Sequence, residues 1–237
     1  MKSILITGAS AGIGRATAEV FLDAGWRVGV MARRGEVLEE HFAGRAFVLP
    51  GDVTREGEVE AAFDRFVAEA GRIDVLFNNA GIFGRADTID GLLFDEFRQV
   101  VEVNVIGMFL CAKAAFARMK AQDPRGGRII NNGSISAHVP REGSIAYTTT
   151  KHAVTGMTRT LSLDGRAFDI ACGQIDIGNA RTELLQGILD RDPENPPPSM
   201  DVKVAAEAVL HMAELPLEAN VQFMTVMATK MPYIGRG

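Results

Sequence analysis

The chain has 237 residues, a formal net charge of -5 and a hydrophobic content of 47%, which is enough apolar sequence for the core of one large domain. The net negative charge and the absence of a basic stripe argue against nucleic-acid binding, which needs clustered Lys and Arg. Cys111 and Cys172 lack metal-ligand or redox spacing, and no stretch approaches a signal peptide or the roughly 18 apolar residues of a membrane span. We therefore expect a metal-free cytoplasmic protein that binds no membrane.

Short apolar runs alternate with helical patterns along the chain. Seven runs are predicted to be strands, at residues 3–7, 27–32, 45–50, 73–78, 128–133, 169–175 and 221–227. Between the first two, apolar residues from Ile13 to Phe21 recur at the spacing of one helical face, and Gly25 follows as a C-terminal cap. Strict alternation of strand and helix predicts right-handed βαβ units. We predict a single α/β domain over residues 1–237, with a doubly wound, parallel, seven-stranded sheet and helices on both faces.

A glycine-rich sequence, TGASAGIG, follows the first predicted strand, and its residues Gly8, Gly12 and Gly14 lead into the first helix. Glycines let a phosphate approach the backbone, and the free amides and dipole of a helix N-terminus favour an anion. The spacing differs from the plain G-x-G-x-x-G pattern and lacks the lysine of a nucleoside triphosphatase loop. We predict a dinucleotide pyrophosphate site, with a tight strand-to-helix turn of small residues as the alternative.

The end of the second strand bears on which dinucleotide binds. An acidic residue that would hold the adenosine ribose hydroxyls is expected about 20 residues after the glycine loop, but the sequence has Ala32, Arg33 and Arg34. A guanidinium pairs with a 2′-phosphate, which favours NADP(H), with NAD(H) possible; two solvated arginines are the alternative. Asp52, after the third strand, is placed either to meet the adenine edge or to form an Asx turn or a helix cap.

Four motifs in order resemble the short-chain dehydrogenase/reductase family: TGASAGIG, NNAG at residues 78–81, a serine after the fifth strand, and YTTTK at residues 147–151. The resemblance covers residues 4 to about 182 and implies a Rossmann fold, a small-molecule carbonyl or alcohol substrate, and a homodimer or homotetramer. The threonine run alone favours a strand, whereas the resemblance implies a long helix with Tyr147 and Lys151 on one face. A nearby ammonium favours the phenolate form, so Tyr147 can exchange protons with the substrate.

The resemblance also implies the other site residues. The family serine lies 13 residues before the tyrosine, which selects Ser134 over Ser136 to polarise the substrate oxygen. Asn104 matches the family asparagine that holds a water chain to the lysine; a local backbone hydrogen bond is the alternative for an isolated asparagine. The implied cofactor contacts are Gly8, Ser10, Gly12, Ile13, Gly14, Arg33, Arg34, Asp52, Val53, Asn79, Ala80, Gly81, Tyr147, Lys151 and Thr182.

Two positions depart from the family pattern. Ile177 stands where a proline is expected before Gly178, which predicts a less rigid loop ahead of Thr182. The glycine loop has Ser10 and no basic residue, so the predicted NADP(H) preference rests chiefly on Arg33.

The expected reaction is hydride transfer between NADP(H) and a carbonyl or secondary alcohol, with Tyr147 as general acid and base. Two alternatives remain: a dinucleotide-binding regulatory or scaffold protein without activity, and a dehydratase or epimerase that uses the same cofactor site. The substrate is not predicted. Its rim is expected at residues 82–88 and 137–144, where His138 and Arg141 are polar or simply solvated, and at a lid loop of about residues 183–200.

Overall fold

The computed structural model describes residues 1–183, 194 and 196–234 of the chain. Strands and helices alternate along most of this length. The strands are β1 Ser3–Thr7, β2 Arg27–Ala32, β3 Phe47–Pro50, β4 Val75–Asn78, β5 Gly127–Asn132, β6 Ile170–Gly178, β7 Ala180–Arg181, β8 Met200–Asp201 and β9 Phe223–Met227. The helices are α1 Gly12–Asp23, α2 Gly35–Phe42, α3 Glu56–Ala70, α4 Phe94–Val101, α5 Met108–Ala121, α6 Ile145–Gly165 and α7 Val202–Glu214, with a π-helix at Glu102–Gly107 and short 3₁₀ turns at Ile135–Ala137 and Arg166–Phe168.

Seven strands form one sheet in the order β3-β2-β1-β4-β5-β6-β9, and every neighbouring pair is parallel. The chain order reverses between β1 and β4, and ligands of open α/β sheets bind at the carboxyl ends of the strands beside such a switch point. The predicted doubly wound, seven-stranded sheet is confirmed. A separate pairing of β7 with β8 was not predicted, and residues 184–193 and 195 of the predicted lid loop lie outside the described residues.

The strand boundaries differ from the predicted ones where other groups hold the backbone. The amides of Arg45 and Ala46 donate to the Phe42 carbonyl at the end of α2, so β3 begins only at residue 47. The amide of Asp74 donates to the Ser3 hydroxyl, and β4 begins one residue later. In the other direction, β6 continues beyond the predicted residue 175 because its ladder with β9 extends to Gly178.

Successive residues of the central strands supply two separate cores. Ile4 and Ile6 of β1 pack into one apolar cluster, whereas Leu5 packs into the other, as the alternation of side chains along a strand requires. The first cluster includes Phe21 of α1, and the second includes Phe66 of α3. Each fully buried side chain of this size contributes roughly 1.5–3 kcal/mol. Helices therefore cover both faces and leave the sheet edge at the strand carboxyl ends for a site.

The helical segment Phe94–Ala121 has the length and composition of a membrane span, with a mean hydropathy of 1.7 in its most apolar window. The expectation that no stretch approaches such a span was therefore wrong on composition. One such helix is weak evidence for a span, because the core helix of a globular fold passes the same test. In this fold Cys111, Ala115 and Met119 of the segment are buried, and Cys111 belongs to the same apolar cluster as Leu76 of β4.

Candidate active site

A cleft with a volume of about 420 Å³ lies at the carboxyl ends of β1, β2, β4 and β5. All of the predicted cofactor contacts line it except Gly14. Three further lining residues, Ile82, Phe83 and Glu183, fall in the expected substrate rim and lid, and the lining residues that were not predicted are Ala11, Ala32, Gly51, Val103 and Asn132. The catalytic candidates Asn104 and Ser134 are buried and are not among the lining residues.

The glycine loop brings the N-terminus of α1 to the cleft. Gly8 and Gly12 have positive φ angles of 67° and 54°, and a Cβ atom on Gly8 would lie 2.8 Å from the Ala80 Cα atom. The N-cap residue, Ala11, offers no side-chain cap, and the first turn of α1 has no acidic residue. The dipole of this terminus is therefore uncompensated within its own helix, which fits the pyrophosphate of a dinucleotide.

Gly14 has a packing role in place of a lining role. A Cβ atom at this position would lie 2.4 Å from the Gly8 carbonyl oxygen and 2.6 Å from the Asn79 amide nitrogen. Glycine at this place lets the helix pack closely on the preceding loop. Gly14 therefore determines the shape of the loop without facing the cleft.

Glu183 places a carboxylate at the same helix terminus. Its Oε2 accepts the Gly12 amide at 3.1 Å, and its Oε1 pairs with Arg15 at 2.6 Å. Hydrogen bonding from its own backbone amide, followed by the Arg15 charge and the Gly12 amide, lowers the pKa of the Glu183 carboxyl below its ordinary value, while burial acts in the opposite direction. An anion is thus already stabilised at the position where the glycine loop favours one.

The NNAG motif continues β4 and is held against the end of β1. The Thr7 hydroxyl accepts the Asn79 amide at 2.9 Å and the Ala80 amide at 3.0 Å. The Asn79 side chain donates to the Thr7 carbonyl and accepts from the Asn132 side chain at 2.8 Å. Three neighbouring strands are thereby held in one hydrogen-bonded group at the floor of the cleft.

The two arginines after β2 differ in their contacts. The Arg34 guanidinium donates to the Ser10 hydroxyl of the glycine loop at 3.0 Å. Arg33 is exposed, and its guanidinium has no partner within the described part of the chain. Asp52 forms the predicted Asx turn, accepting the Thr54 amide and hydroxyl at 2.9 Å each, and also lines the cleft.

Tyr147 and Lys151 lie on one face of α6, as predicted. The Lys151 ammonium lies 5.3 Å from the centre of the Tyr147 ring and donates to the Asn132 carbonyl at 2.7 Å. The tyrosine ring also contacts Phe83, with ring centres 4.8 Å apart. Lys151 is almost fully buried, so its charge has little solvent screening. The helix prediction for the threonine run is confirmed.

Asn104 lies in the π-helix between α4 and α5, a helical irregularity that often marks functional sites. Its side chain accepts the Ile82 amide and donates to the Ile82 carbonyl, both at 2.8 Å, and donates to the Thr150 hydroxyl at 3.1 Å. The alternative of a local backbone hydrogen bond is therefore not what its side chain forms. Asn104 instead connects Ile82, in the loop after β4, to Thr150 of α6, which directly precedes Lys151.

Ser134 begins the turn after β5. Its amide donates to the Asp176 carboxylate at 2.9 Å, and its hydroxyl accepts the Ser136 amide at 3.1 Å. Asp176, in β6, is fully buried and also contacts His138 at 2.8 Å. Asp176 was not predicted as a site residue, although an acidic residue between the apolar Ile175 and Ile177 is a visible signal in the sequence.

The described residues do not form a set of ligands for a metal ion. Among residues 1–183, 194 and 196–234, no group of three or more His, Cys, Asp or Glu side chains is placed to hold a metal ion. The cleft instead offers backbone amides, amide side chains, arginines and one buried lysine. This set suits a phosphate-containing organic cofactor.

Comparisons with known proteins agree with this geometry. Residues 2–193 match the family model described as short chain dehydrogenase. The L-fucose dehydrogenase of Rattus norvegicus is 32% identical over 78% of this chain and 68% of its own length. The 2-(R)-hydroxypropyl-CoM dehydrogenase of Xanthobacter autotrophicus is 36% identical over 79% of this chain and 78% of its own length.

A solved structure shows the same fold. The 3-ketoacyl-(acyl-carrier-protein) reductase from Brucella melitensis, crystallised with NADH, superimposes with a TM-score of 0.85 over 95% of this chain and 96% of its own, at 24% identity. The glycine loop, the NNAG segment and the Tyr147–Lys151 face thus occur in a chain with the sequence and fold of that group of enzymes. The chain belongs to the short-chain dehydrogenase/reductase family and is an oxidoreductase that acts on CH–OH groups with NAD(P).

Proposed function

We propose that the protein is an NADP(H)-preferring oxidoreductase that interconverts a carbonyl compound and a secondary alcohol, with Tyr147 as the general acid and base. The observation that carries the proposal is the position of Lys151. Its ammonium is buried, fixed by the Asn132 carbonyl and 5.3 Å from the Tyr147 ring centre. A desolvated cation at this distance stabilises the negative charge that the phenol acquires when it gives up its proton.

Each residue of the proposed site has one task in the reaction. The nicotinamide, when bound, supplies or accepts the hydride. In the reductive direction the Tyr147 hydroxyl gives its proton to the substrate oxygen, and in the oxidative direction the phenolate takes it back. Ser134 donates a hydrogen bond to the same oxygen. Lys151 stabilises the phenolate, and Asn104 holds the Ile82 segment and Thr150 of α6 in register.

The proposed preference for NADP(H) rests on Arg33 and Arg34. Ala32, Arg33 and Arg34 occupy the end of β2 and the two positions after it, where a carboxylate would bind the ribose hydroxyls, and all three residues line the cleft. Arg34 is anchored to Ser10, whereas Arg33 has donors that no described protein group occupies. Together they favour a 2′-phosphate, which a guanidinium can bind through two parallel hydrogen bonds.

Replacement of the tyrosine tests the proton-transfer role. We expect Tyr147→Phe to lower kcat by about 10²–10⁴-fold in NADPH-dependent ketone reduction, while the Kd for NADPH changes less than about twofold because the glycine loop, the two arginines and Lys151 remain. Tyr233→Phe, at the other tyrosine of the chain, is the matched control and should keep full activity. Normal turnover by Tyr147→Phe would overturn the proposal.

Fluorescence titration with NADPH and with NADH tests the cofactor preference. The wild type should bind NADPH more tightly. Arg33→Ala and Arg34→Ala should each weaken NADPH binding and leave NADH binding nearly unchanged, because only the former cofactor has the 2′-phosphate. Arg65→Ala, which removes an exposed arginine paired with Glu69 on α3, should change neither. Equal affinities of the wild type for NADPH and NADH would refute the preference. A separate experiment, identification of the product after turnover, distinguishes a reductase from a dehydratase or epimerase.

We also propose a homo-oligomer that works in the reducing cytoplasm. Phe109 of α5 and Leu163 of α6 expose 51% and 58% of their surfaces, and such residues on neighbouring helices suit pairing between subunits. Both cysteines are free and buried, which suits a reducing compartment. Sedimentation that shows only monomer at micromolar concentration would contradict the first proposal, and cell fractionation tests the second.

A further inference from the structure

A buried carboxylate lies directly behind the proposed catalytic serine and has no role in the reaction described above. Asp176 is fully buried near the carboxyl end of β6. Its Oδ1 accepts the Ser134 amide at 2.9 Å and the Gln174 side-chain amide at 2.7 Å, and its Oδ2 contacts the His138 Nε2 atom at 2.8 Å. A buried carboxylate is costly unless such hydrogen bonds compensate it.

The backbone beside Ser134 is shaped around this carboxylate. A Cβ atom on Gly133 would lie 2.0 Å from the Asp176 Oδ1 atom and 2.6 Å from the Gln174 Nε2 atom. The Gly133 amide donates to the Ile175 carbonyl at 2.8 Å. Two consecutive amides, those of Gly133 and Ser134, are thus held by β6, and the position of the serine depends on the side chain of Asp176.

The same carboxylate fixes the ring of His138. An ionised carboxylate only accepts hydrogen bonds, so the ring nitrogen that faces it, Nε2, carries a hydrogen. In the neutral ring Nδ1 is then an acceptor, and no described protein group bonds it. His138 exposes 40% of its side chain, whereas Asp176 exposes none. The ring therefore extends from the buried carboxylate to the solvent on the Ser134 side of the fold.

The loop that carries His138 has a second anchor on the same strand end. The Arg141 guanidinium donates to the Asn179 Oδ1 atom at 2.8 Å. Asn179 has a positive φ of 48°, and its side chain also donates to the Pro198 carbonyl. Polar side chains at and just after the end of β6 thus hold two points of the loop between β5 and α6, and the His138 ring has a defined position relative to Ser134.

We propose that Asp176 is a positioning residue for Ser134, and that His138, oriented by Asp176, determines specificity by accepting a hydrogen bond from a hydroxyl group next to the substrate carbonyl. The inference rests on the proposed function, in which Ser134 contacts the substrate oxygen. The favoured substrate class is a hydroxylated carbonyl compound, or the corresponding diol in the oxidative direction.

Three variants, one isosteric and two truncating, separate the two roles. Asp176→Asn keeps an acceptor oxygen for the Ser134 amide. The new NH₂ group faces His138 and cannot accept a hydrogen bond from a protonated Nε2. Asp176→Ala removes both contacts. His138→Ala removes only the acceptor, and His152→Ala, at an exposed histidine that bonds its own helix through the Thr148 carbonyl, is the matched control.

The kinetic experiment compares NADPH-dependent reduction of 2-hydroxycyclohexanone with that of cyclohexanone. We expect the wild type and His152→Ala to favour the hydroxylated ketone at least tenfold in kcat/KM. His138→Ala and Asp176→Asn should lose this preference through a higher KM for 2-hydroxycyclohexanone. Asp176→Ala should lower kcat for both ketones at least tenfold with an unchanged Kd for NADPH. Unaltered kinetics in Asp176→Ala, or a preserved preference in His138→Ala, would overturn the inference.

A spectroscopic readout is independent of turnover. Nitrogen-15 NMR of the His138 ring should place the hydrogen of the neutral form on Nε2 in the wild type and on Nδ1 in Asp176→Asn; a hydrogen on Nδ1 in the wild type would overturn the role of His138. Failure of the proposed function has a different signature, because full activity in Tyr147→Phe would refute that function without changing the ring-nitrogen spectrum.

Discussion

At the residue scale, one missing methyl group determines how α1 meets the glycine loop. A Cβ atom on Gly14 would meet the Gly8 carbonyl and the Asn79 side chain, neither of which can move without disturbing the end of β1. We expect Gly14→Ala to lower the free energy of unfolding by about 1–3 kcal/mol, the usual cost of overpacking, and to weaken cofactor binding.

Gly57, near the start of α3, is the matched control for that change. A Cβ atom there has no neighbour within 4 Å, so Gly57→Ala should raise the free energy of unfolding by about 0.4–1 kcal/mol. Urea unfolding followed by circular dichroism measures both variants. Equal stability of Gly14→Ala and the wild type would show that the close contact does not constrain the loop.

A second prediction concerns the carboxylate at the N-terminus of α1. Glu183 accepts the Gly12 amide and pairs with Arg15, so its charge competes with a cofactor phosphate for the same donors. We expect Glu183→Gln to tighten NADPH binding several-fold in a fluorescence titration. Glu19→Gln, which removes an exposed carboxylate farther along α1 from its pair with Arg45, should have no effect. Weaker binding by Glu183→Gln would mean that the carboxylate supports the cofactor site.

At the scale of elements, helix α6 shows how tertiary contacts outweigh local preference. Its three threonines disfavour a helix by their β-branching, yet Thr150 is fully buried, accepts from Asn104 and donates to the Tyr147 carbonyl. Thr149 beside it is exposed. The helix forms because Thr150 contributes buried hydrogen bonds and because the helix face that carries Thr150 and Lys151 is buried.

The two threonines should therefore respond in opposite directions to the same change. Thr150→Ala leaves the Asn104 side chain short of a buried acceptor, and we expect a loss of about 1–3 kcal/mol in the free energy of unfolding. Thr149→Ala should gain a few tenths of a kcal/mol through helix propensity. Thermal unfolding of both variants tests this, and a stabilising Thr150→Ala would refute the role of that hydroxyl.

Elements with a regular apolar period were predictable from the sequence. The seven strands follow from short apolar runs, α1 follows from a period of 3.6 residues, and the order of the motifs is read directly from the sequence. The π-helix at Glu102–Gly107 was not predicted, because its wider turn does not follow the period of 3.6 residues by which helices are recognised. The β7–β8 pairing joins residues about 20 positions apart over only two residues each, which is too short to leave a pattern.

The site was predictable where its residues follow one another in sequence and not where they meet across the fold. The glycine loop, the NNAG segment and Tyr147 with Lys151 are local motifs, and the structure places them in one cleft. Asp176 and His138 are 38 residues apart, and the Glu183 carboxylate reaches a helix 171 residues away. Only the packing of β6 against β5 and the return of the chain to α1 bring these groups together.

At the scale of the whole molecule, both thiols lie inside the core. Burial raises the pKa of Cys111 and of Cys172 to about 12. We expect neither cysteine to react with a disulfide reagent in the native state, because the thiolate is the reactive form. Two thiols per chain should react in urea. Reaction of one thiol before unfolding would show that its part of the core opens locally.

The same burial gives stability a dependence on alkaline pH. The native pKa values lie above those of the unfolded thiols, so the stabilising contribution is complete below about pH 9 and is lost as the pH rises toward 12. Between pH 8 and pH 10, the urea midpoint of unfolding should fall further in the wild type than in a Cys111→Ala, Cys172→Ala double variant. Equal declines would assign the alkaline loss to other groups.

The only tryptophan of the chain gives the molecule a built-in optical reporter. Trp26 is buried directly before β2, with its ring edge-on to Phe21 at 5.0 Å. It lies at the opposite end of β2 from the cleft, and that strand of six residues spans roughly 20 Å. Light absorbed at wavelengths that spare tyrosine therefore reports on the α1–β2 core, and the loss of that emission signal follows unfolding separately from events in the cleft.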